Sequence, residues 1–140
     1  MSLFPEPKPN EYILDRSELP IVKLTYPEVA SIEVIDRSLA EFTEIAKVTR
    51  FVALIDARGL KVRSTTPELR RYYFEKKKIH DEGAVKDRLL GEAIILYPIH
   101  RPIFQVYRWM VGSEDYPVGA FSRYDEAHAW CKDIVAQHMR

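Results

Sequence analysis

The chain has 140 residues, of which 46% are hydrophobic and 30% are charged, a composition typical of one folded globular domain. Its 21 basic residues balance its 21 acidic residues, so no overall charge draws it to nucleic acid or to an anionic membrane. The single cysteine, Cys131, excludes an internal disulfide and any C-x-x-C zinc or redox site. No run approaches the roughly 18 apolar residues of a membrane span, and the first residues do not resemble a signal peptide. We therefore expect a cytoplasmic protein without metal or cofactor, which neither binds nucleic acid nor inserts into a membrane.

The first 26 residues predict a tail followed by a strand pair. Residues 1–10 contain three prolines, which favour an extended, solvated tail and leave residues 11–140 as the folded domain. The segments 11–15 and 20–26 are short and rich in β-branched and aromatic residues. They predict an antiparallel pair at the start of a sheet.

An amphipathic helix and a buried strand are predicted next. From Ser31 the apolar residues recur every three or four positions, which predicts a helix capped by Ser31 or Asp36. The run "RFVALID" (residues 50–56) is continuously apolar from Phe51 to Ile55, which is typical of a strand buried on both faces.

A second helix is predicted from about residue 66 to residue 79, and it ends before Gly83. Its spacing predicts an inner stripe of four residues, Leu69, Tyr72, Tyr73 and Ile79. The basic residues between them predict a solvated face that comprises Arg70, Arg71 and Lys76 to Lys78. We interpret His80-Asp81-Glu82 as a turn that ends this helix, not as a metal site.

The C-terminal part predicts a strand at 92–98, a helix at 101–112, a strand at 116–122 and a final helix capped by Asp125. The resulting order, β-β-α-β-α-β-α-β-α, predicts a single α/β domain with a mixed, mostly parallel sheet of about five strands and packed helices. The pattern does not fix the order of the strands in the sheet.

Two stretches carry a resemblance to a known family. The segment "FVALIDARGLKVRSTTPEL" (51–69) is similar to the part of STAS domains, the SpoIIAA-like anti-sigma factor antagonists, in which a buried strand ends in D-x-x-G and leads through D-S-S-G into a helix. Asp56 and Gly59 match the first motif. The C-terminal stretch resembles a divergent SpoIIAA-like branch related to Sec14 or CRAL-TRIO-like folds, at Pro117, Val118, Phe121, Asp125, Glu126, Ala127 and Trp130. The resemblance implies a SpoIIAA-like fold over about residues 11–138.

A cluster of hydroxyl residues precedes the second helix. Ser64, Thr65, Thr66 and Pro67 stand where the family has Asp, Ser, Ser and Gly. The resemblance implies that Thr65 matches the serine that partner kinases phosphorylate. The alternative is a helix cap, either a T-x-x-E capping box from Thr65 or Thr66 followed by proline at the first helical position.

Basic residues follow three of the predicted strands. In a parallel sheet the carboxyl ends of the strands meet at one edge, where ligands of open α/β sheets bind. If the three strands are neighbours, this edge is a candidate site for an anion or a partner, built from Arg58, Lys61, Arg63, His100, Arg101 and Arg123. The alternative is that these arginines pair with nearby carboxylates such as Asp56 and Asp125.

The aromatic residues near the predicted third helix are the last candidates. They are expected to pack in the core, but the Sec14-like resemblance implies an apolar ligand pocket as the alternative, lined by Tyr97, Phe104, Tyr107 and Trp109.

These observations favour a function by binding. We find no nucleophile elbow, phosphate loop or dinucleotide-binding motif, so we predict a protein that is not an enzyme and has no catalytic residues. The resemblance implies a non-enzymatic regulatory module that binds a protein partner, and exposed tyrosines also allow a homodimer. The alternative function is the binding of a small anionic or lipid-like ligand.

Overall fold

The computed structural model describes residues 10–102 and 116–139. Within these ranges the chain forms five strands and three α-helices. The strands are β1 (Ile13–Asp15), β2 (Ile21–Thr25), β3 (Phe51–Asp56), β4 (Leu89–Ile95) and β5 (Val118–Phe121). The helices are α1 (Ile32–Val48), α2 (Pro67–Glu82) and α3 (Tyr124–His138).

The five strands form one mixed sheet in the order β1-β2-β3-β4-β5. β1 pairs antiparallel with β2, and every later pair is parallel. This confirms the predicted α/β class and the antiparallel edge. Each parallel strand lies beside the previous one in the sheet. Right-handed crossovers between such strands place α1 and α2 on the same face of the sheet. The two helices contact each other there. The helix that follows β5, α3, packs across β3, β4 and β5 on the opposite face.

Apolar side chains fill both layers because alternate residues of each strand point to opposite faces. The α1 face holds, among others, Val22, Leu24, Phe42, Ile45 and Phe51. The α3 face holds Ile21, Leu54, Ala93, Cys131 and Ile134. The central strand β3 is buried on both faces as predicted, with only Asp56 partly exposed.

Side-chain caps fix where the first two helices begin. The Ser31 Oγ accepts a hydrogen bond from the Val34 amide at 3.1 Å, so Ser31 is the N-cap of α1. Thr66 caps α2 in the same way, with its Oγ1 3.1 Å from the Leu69 amide. Asp125, predicted as a cap, lies instead in the first turn of α3.

β4 begins at Leu89, three residues before the predicted start at residue 92. Gly91, a weak strand former, hides this part of the strand in the sequence. Packing leaves little room for a side chain at this position, because a Cβ would lie 3.3 Å from Cη2 of Trp130 on α3.

The predicted faces of α2 are wrong at Ile79 and Lys77, and Arg70, predicted on the solvated face, is half-buried. Ile79, expected inside, is 67% exposed, and Lys77, expected in solvent, is 5% exposed. Tyr73, Lys77 and Asp81 are spaced by four residues and therefore share one face of the helix. This face turns toward the sheet because Glu92 of β4 offers the Lys77 ammonium a buried partner.

Several predicted elements lie outside the described residues. These are the tail at 1–10, except for Asn10, and the helix at 101–112, except for its first two residues. None of the helices within the described ranges has the length and apolar character needed to cross a bilayer.

Candidate functional site: an apolar cavity at the carboxyl edge of the sheet

A cavity of about 200 Å³ lies where the carboxyl ends of the parallel strands meet the first turns of α2. An engineered apolar cavity of about 150 Å³ is enough to bind benzene. Ligands of open α/β sheets bind outside the carboxyl ends of the strands, which is where this cavity lies. The cavity therefore has both the size and the position of a small-molecule site.

The sheet forms the floor of the cavity. Tyr26 follows β2, Ile55 and Ala57 lie at the end of β3, and Ile94 and Leu96 lie at the end of β4. Their two-residue spacing directs these side chains to the α1 face. Ile94 is only half-buried, although its neighbours Ala93 and Ile95 have no exposed surface, because it faces the cavity.

The helices and the carboxyl-edge loops form the walls. α2 contributes Leu69, Arg70, Tyr73 and Phe74, which lie on its first two turns. Ile35 of α1 and the loop residues Ala30, Leu60, Thr65 and His100 complete the lining. Most of these side chains are apolar, so the cavity favours an apolar molecule.

A few polar groups interrupt the apolar lining. The Arg70 guanidinium donates a hydrogen bond of 3.3 Å to the Thr65 carbonyl oxygen. The Tyr26 hydroxyl is hydrogen-bonded to Tyr73, and burial raises its pKa well above the usual value. Among the described residues no aspartate or glutamate lines the cavity, so its polar side chains are neutral or basic.

Three of the six predicted basic residues are paired with carboxylates. Arg58 binds Asp56 through two bonds, Nε to Oδ1 at 3.0 Å and Nη2 to Oδ2 at 2.8 Å. Arg123 binds Asp125 in the same bidentate way, and the Lys61 ammonium lies 3.4 Å from Glu28. The pairing of the two arginines is the alternative that the sequence analysis left open.

The other three predicted basic residues differ in whether they reach the cavity. Arg63 and Arg101 are exposed, whereas His100 lines the cavity. Strands β3, β4 and β5 are neighbours, so the condition for a shared edge is met. The basic residue on the α2 wall is Arg70, although the helical pattern predicts it on the solvated face of α2.

The three hydroxyl residues have structural roles. Ser64 Oγ donates to the Lys61 carbonyl at 2.7 Å and accepts from the Ala30 amide at 3.1 Å, so it ties two carboxyl-edge loops together. Thr66 is the N-cap of α2, and Thr65 lines the cavity. Phosphorylation at these positions stays a prediction.

The pocket predicted from the aromatic residues is located only in part. Phe104, Tyr107 and Trp109 lie outside the described residues. Tyr97 is 52% exposed and packs beside the ring of His100, with ring centroids 6.3 Å apart, and it does not line the cavity. Apart from Thr65 and His100, the residues that line the cavity are not evident from the sequence, because they come from three strand ends, two helices and the loops between them. The sequence feature that could have indicated the cavity is the apolar character of the carboxyl ends of β3 and β4.

A buried cluster of charged groups lies beside the cavity. The Lys77 ammonium is 2.9 Å from Asp81 Oδ1 and 3.0 Å from Glu92 Oε2, and the Tyr116 hydroxyl donates to Asp81 Oδ2 at 2.8 Å. Burial alone would lower the pKa of Lys77, but Glu92, Tyr116 and Asp81 outweigh it and hold this pKa well above its usual value. Burial also raises the pKa of Tyr116. We call these four residues the Lys77 cluster.

A second cavity, of about 10 Å³, lies between the Lys77 cluster and His80, and Tyr26 and Tyr73 line both cavities. The His80 Nε2 lies 3.0 Å from Thr43 Oγ1, and Nδ1 is buried without a hydrogen-bond partner among the described residues. Burial, together with the nearby Lys77 charge, lowers the pKa of His80 to about 4.

Within the described ranges, no group of three or more His, Cys, Asp or Glu side chains is arranged to hold a metal ion. Comparison with protein-family models, curated proteins and solved structures gives no match to this chain.

Proposed function

We propose that this protein is a non-enzymatic small-ligand-binding domain that holds its ligand in the cavity at the carboxyl edge of the sheet. The observation that carries the proposal is the apolar cavity of about 200 Å³ between β3, β4 and the first turns of α2. A mostly apolar concave site of this size, at the carboxyl edge of an α/β sheet, supports a binding role.

A regulatory role for this binding rests on the resemblance to STAS and SpoIIAA-like domains. The resembling segment 51–69 supplies β3, the loop with Thr65, and the first turn of α2, and these same elements surround the cavity. In this proposal the ligand changes the surface that α2 and its preceding loop present to a protein partner.

Thermal unfolding in the presence of small apolar molecules tests the ligand proposal. Benzyl alcohol and hexan-1-ol should raise the unfolding temperature increasingly with ligand concentration, because a ligand that binds the folded state preferentially stabilises it by RT ln(1 + L/Kd) at a free ligand concentration L. The variant Ile94→Phe fills the cavity from its floor and should abolish the shift. The control Ile79→Phe makes the same change on the exposed side of α2 and should retain it. The absence of a shift with any small apolar molecule would contradict the proposal.

A second candidate function, binding of a protein partner at the same edge, is favoured by exposed apolar side chains. Ile99 is 81% exposed and Tyr97 is 52% exposed after β4, and Ile32 is 51% exposed at the start of α1. Apolar side chains that are exposed together in one patch often mark an interaction site. A partner captured by the wild type should be lost with Ile99→Asp and kept with the control Ile79→Asp. Sedimentation of the purified protein distinguishes a second copy of this chain from a different protein.

A further inference from the structure

The composition of the cavity wall restricts the chemistry of its ligand. The floor is apolar, and the basic side chains Arg70 and His100 lie on the wall without an acidic residue beside them in the described lining. An apolar molecule that carries a negative group complements both features. The inference below rests on the proposed function.

Arg70 is the group best placed to bind such a negative group. It is half-buried, and within the described residues its guanidinium makes one hydrogen bond, to the Thr65 carbonyl oxygen, which at 3.3 Å is long. A guanidinium has five N–H donors in a planar fork that matches the two oxygens of a carboxylate. Two other arginines of this edge, Arg58 and Arg123, already bind a carboxylate in this bidentate way, because each pairs with an aspartate of this chain.

The site of Arg70 also favours an anion over a neutral group. Arg70 lies in the first turn of α2, where the helix dipole favours negative charge. The acidic residue of that turn, Glu68, is exposed and does not line the cavity. A ligand carboxylate at Arg70 would therefore be attracted by the guanidinium and by the end of the helix.

The size of the cavity limits the apolar body of the ligand. Its volume of about 200 Å³ is slightly larger than that of an engineered apolar cavity of about 150 Å³ that binds benzene. This leaves room for an aromatic ring or a chain of about six carbons together with one small polar group. A long acyl chain exceeds this volume and would leave part of its apolar surface in solvent at the open side of the cavity. A doubly charged phosphate would lose more hydration than one guanidinium replaces.

We infer that the ligand is a small monocarboxylate with an aromatic or short aliphatic body, whose carboxylate pairs with Arg70 while the body occupies the apolar floor of the cavity.

Isothermal titration calorimetry with benzoate and hexanoate tests this inference. In the wild type both should bind about tenfold or more tightly than benzyl alcohol and hexan-1-ol, which have the same bodies without the charge. Arg70→Gln should weaken the binding of the carboxylates by about 10- to 100-fold, and Arg70→Lys by less, because a single charge remains. The alcohols should change by less than about threefold in either variant, since they make no charge-assisted bond. The matched control Arg71→Gln, at the exposed next residue, should bind like the wild type.

The outcomes separate the two proposals. If the alcohols bind as tightly as the carboxylates, or if Arg70→Gln has no effect on benzoate, the carboxylate inference is wrong and the cavity proposal stands. Tighter binding of phenyl phosphate than of benzoate would also overturn the monocarboxylate class. If neither the carboxylates nor the alcohols bind, both proposals fail. The comparison of ligands in the wild type needs no variant, so it holds even if Arg70→Gln does not fold.

Discussion

Lys77 and Glu92 form a buried ion pair, with Nζ 3.0 Å from Oε2, which joins α2 to the middle of β4. Both residues are almost fully buried, at 5% and 1% exposure. A buried charge is tolerated only where partners replace its lost hydration, and here Asp81 and Tyr116 provide further partners. The cluster therefore fixes the position of the helix that forms the main wall of the cavity.

Removing the ammonium should strongly destabilise the fold. Lys77→Met leaves Asp81 and Glu92 buried without their cation, and we expect a loss of about 3–5 kcal/mol in the free energy of unfolding. Urea unfolding at pH 7 measures this loss. Lys78→Met makes the same change at the exposed next residue and should stay within about 0.5 kcal/mol of the wild type. Equal losses in the two variants would show that the buried pair does not stabilise the protein.

The Tyr116 hydroxyl should contribute less than the ammonium. It donates to Asp81 Oδ2 at 2.8 Å, and Tyr116→Phe leaves this carboxylate oxygen without its donor. We expect a loss of about 1–3 kcal/mol in the free energy of unfolding, again measured in urea. Tyr72→Phe is the matched control, because the Tyr72 hydroxyl donates to Asp36 at 2.7 Å on the exposed surface. A control loss as large as that of Tyr116→Phe would argue against a special role of burial.

His80 should make the protein sensitive to acid. Its pKa falls from the usual 6.5 to about 4 on folding, chiefly because of burial, and Lys77 adds to this effect while Glu92 opposes it. A lowered pKa means that the unfolded state binds the proton first, so stability is fully present above pH 6.5 and decreases as the pH falls toward 4.

Unfolding experiments between pH 7 and pH 4 test this dependence, and NMR titration of the imidazole gives its pKa directly. His80→Gln cannot bind the proton and should show a smaller decrease in stability over this range. His138→Gln, at the exposed end of α3, should retain the decrease of the wild type. An imidazole that titrates near pH 6.5 in the folded protein would contradict the prediction.

Much of the fold follows from local patterns in the sequence. The two-residue and 3.6-residue periods, the caps and the apolar run at β3 depend on neighbours along the chain, so α1, β3 and the antiparallel pair were predictable. The sequence pattern starts β4 three residues late because Gly91 is explained by atoms of other segments that approach it, the ring of Trp130 foremost.

The site was less predictable because its key residues depend on contacts across the chain. Lys77 has the sequence context of a solvated lysine, and only Glu92, from a different element, explains its burial. Arg70 also has the sequence context of a solvated residue, and only the elements that surround the cavity explain why it is half-buried. The carboxyl edge was predicted as the binding edge from topology alone, but which of its basic residues remain without a carboxylate depends on pairs such as Arg58 with Asp56.

The thiol of Cys131 should be unreactive in the folded protein. Cys131 has no exposed surface on the α3 face of the sheet, and burial raises its pKa to about 12. Thiolates are the reactive form, so both the low thiolate fraction and the lack of access slow alkylation. We expect iodoacetamide to modify the native protein at pH 8 at least 100-fold more slowly than the protein unfolded in guanidinium chloride, as an order-of-magnitude estimate. Lys132→Cys adds a thiol at the exposed next residue and should be labelled rapidly in the folded state, once per chain. Rapid labelling of Cys131 in the native wild type would mean that α3 opens from the sheet under these conditions.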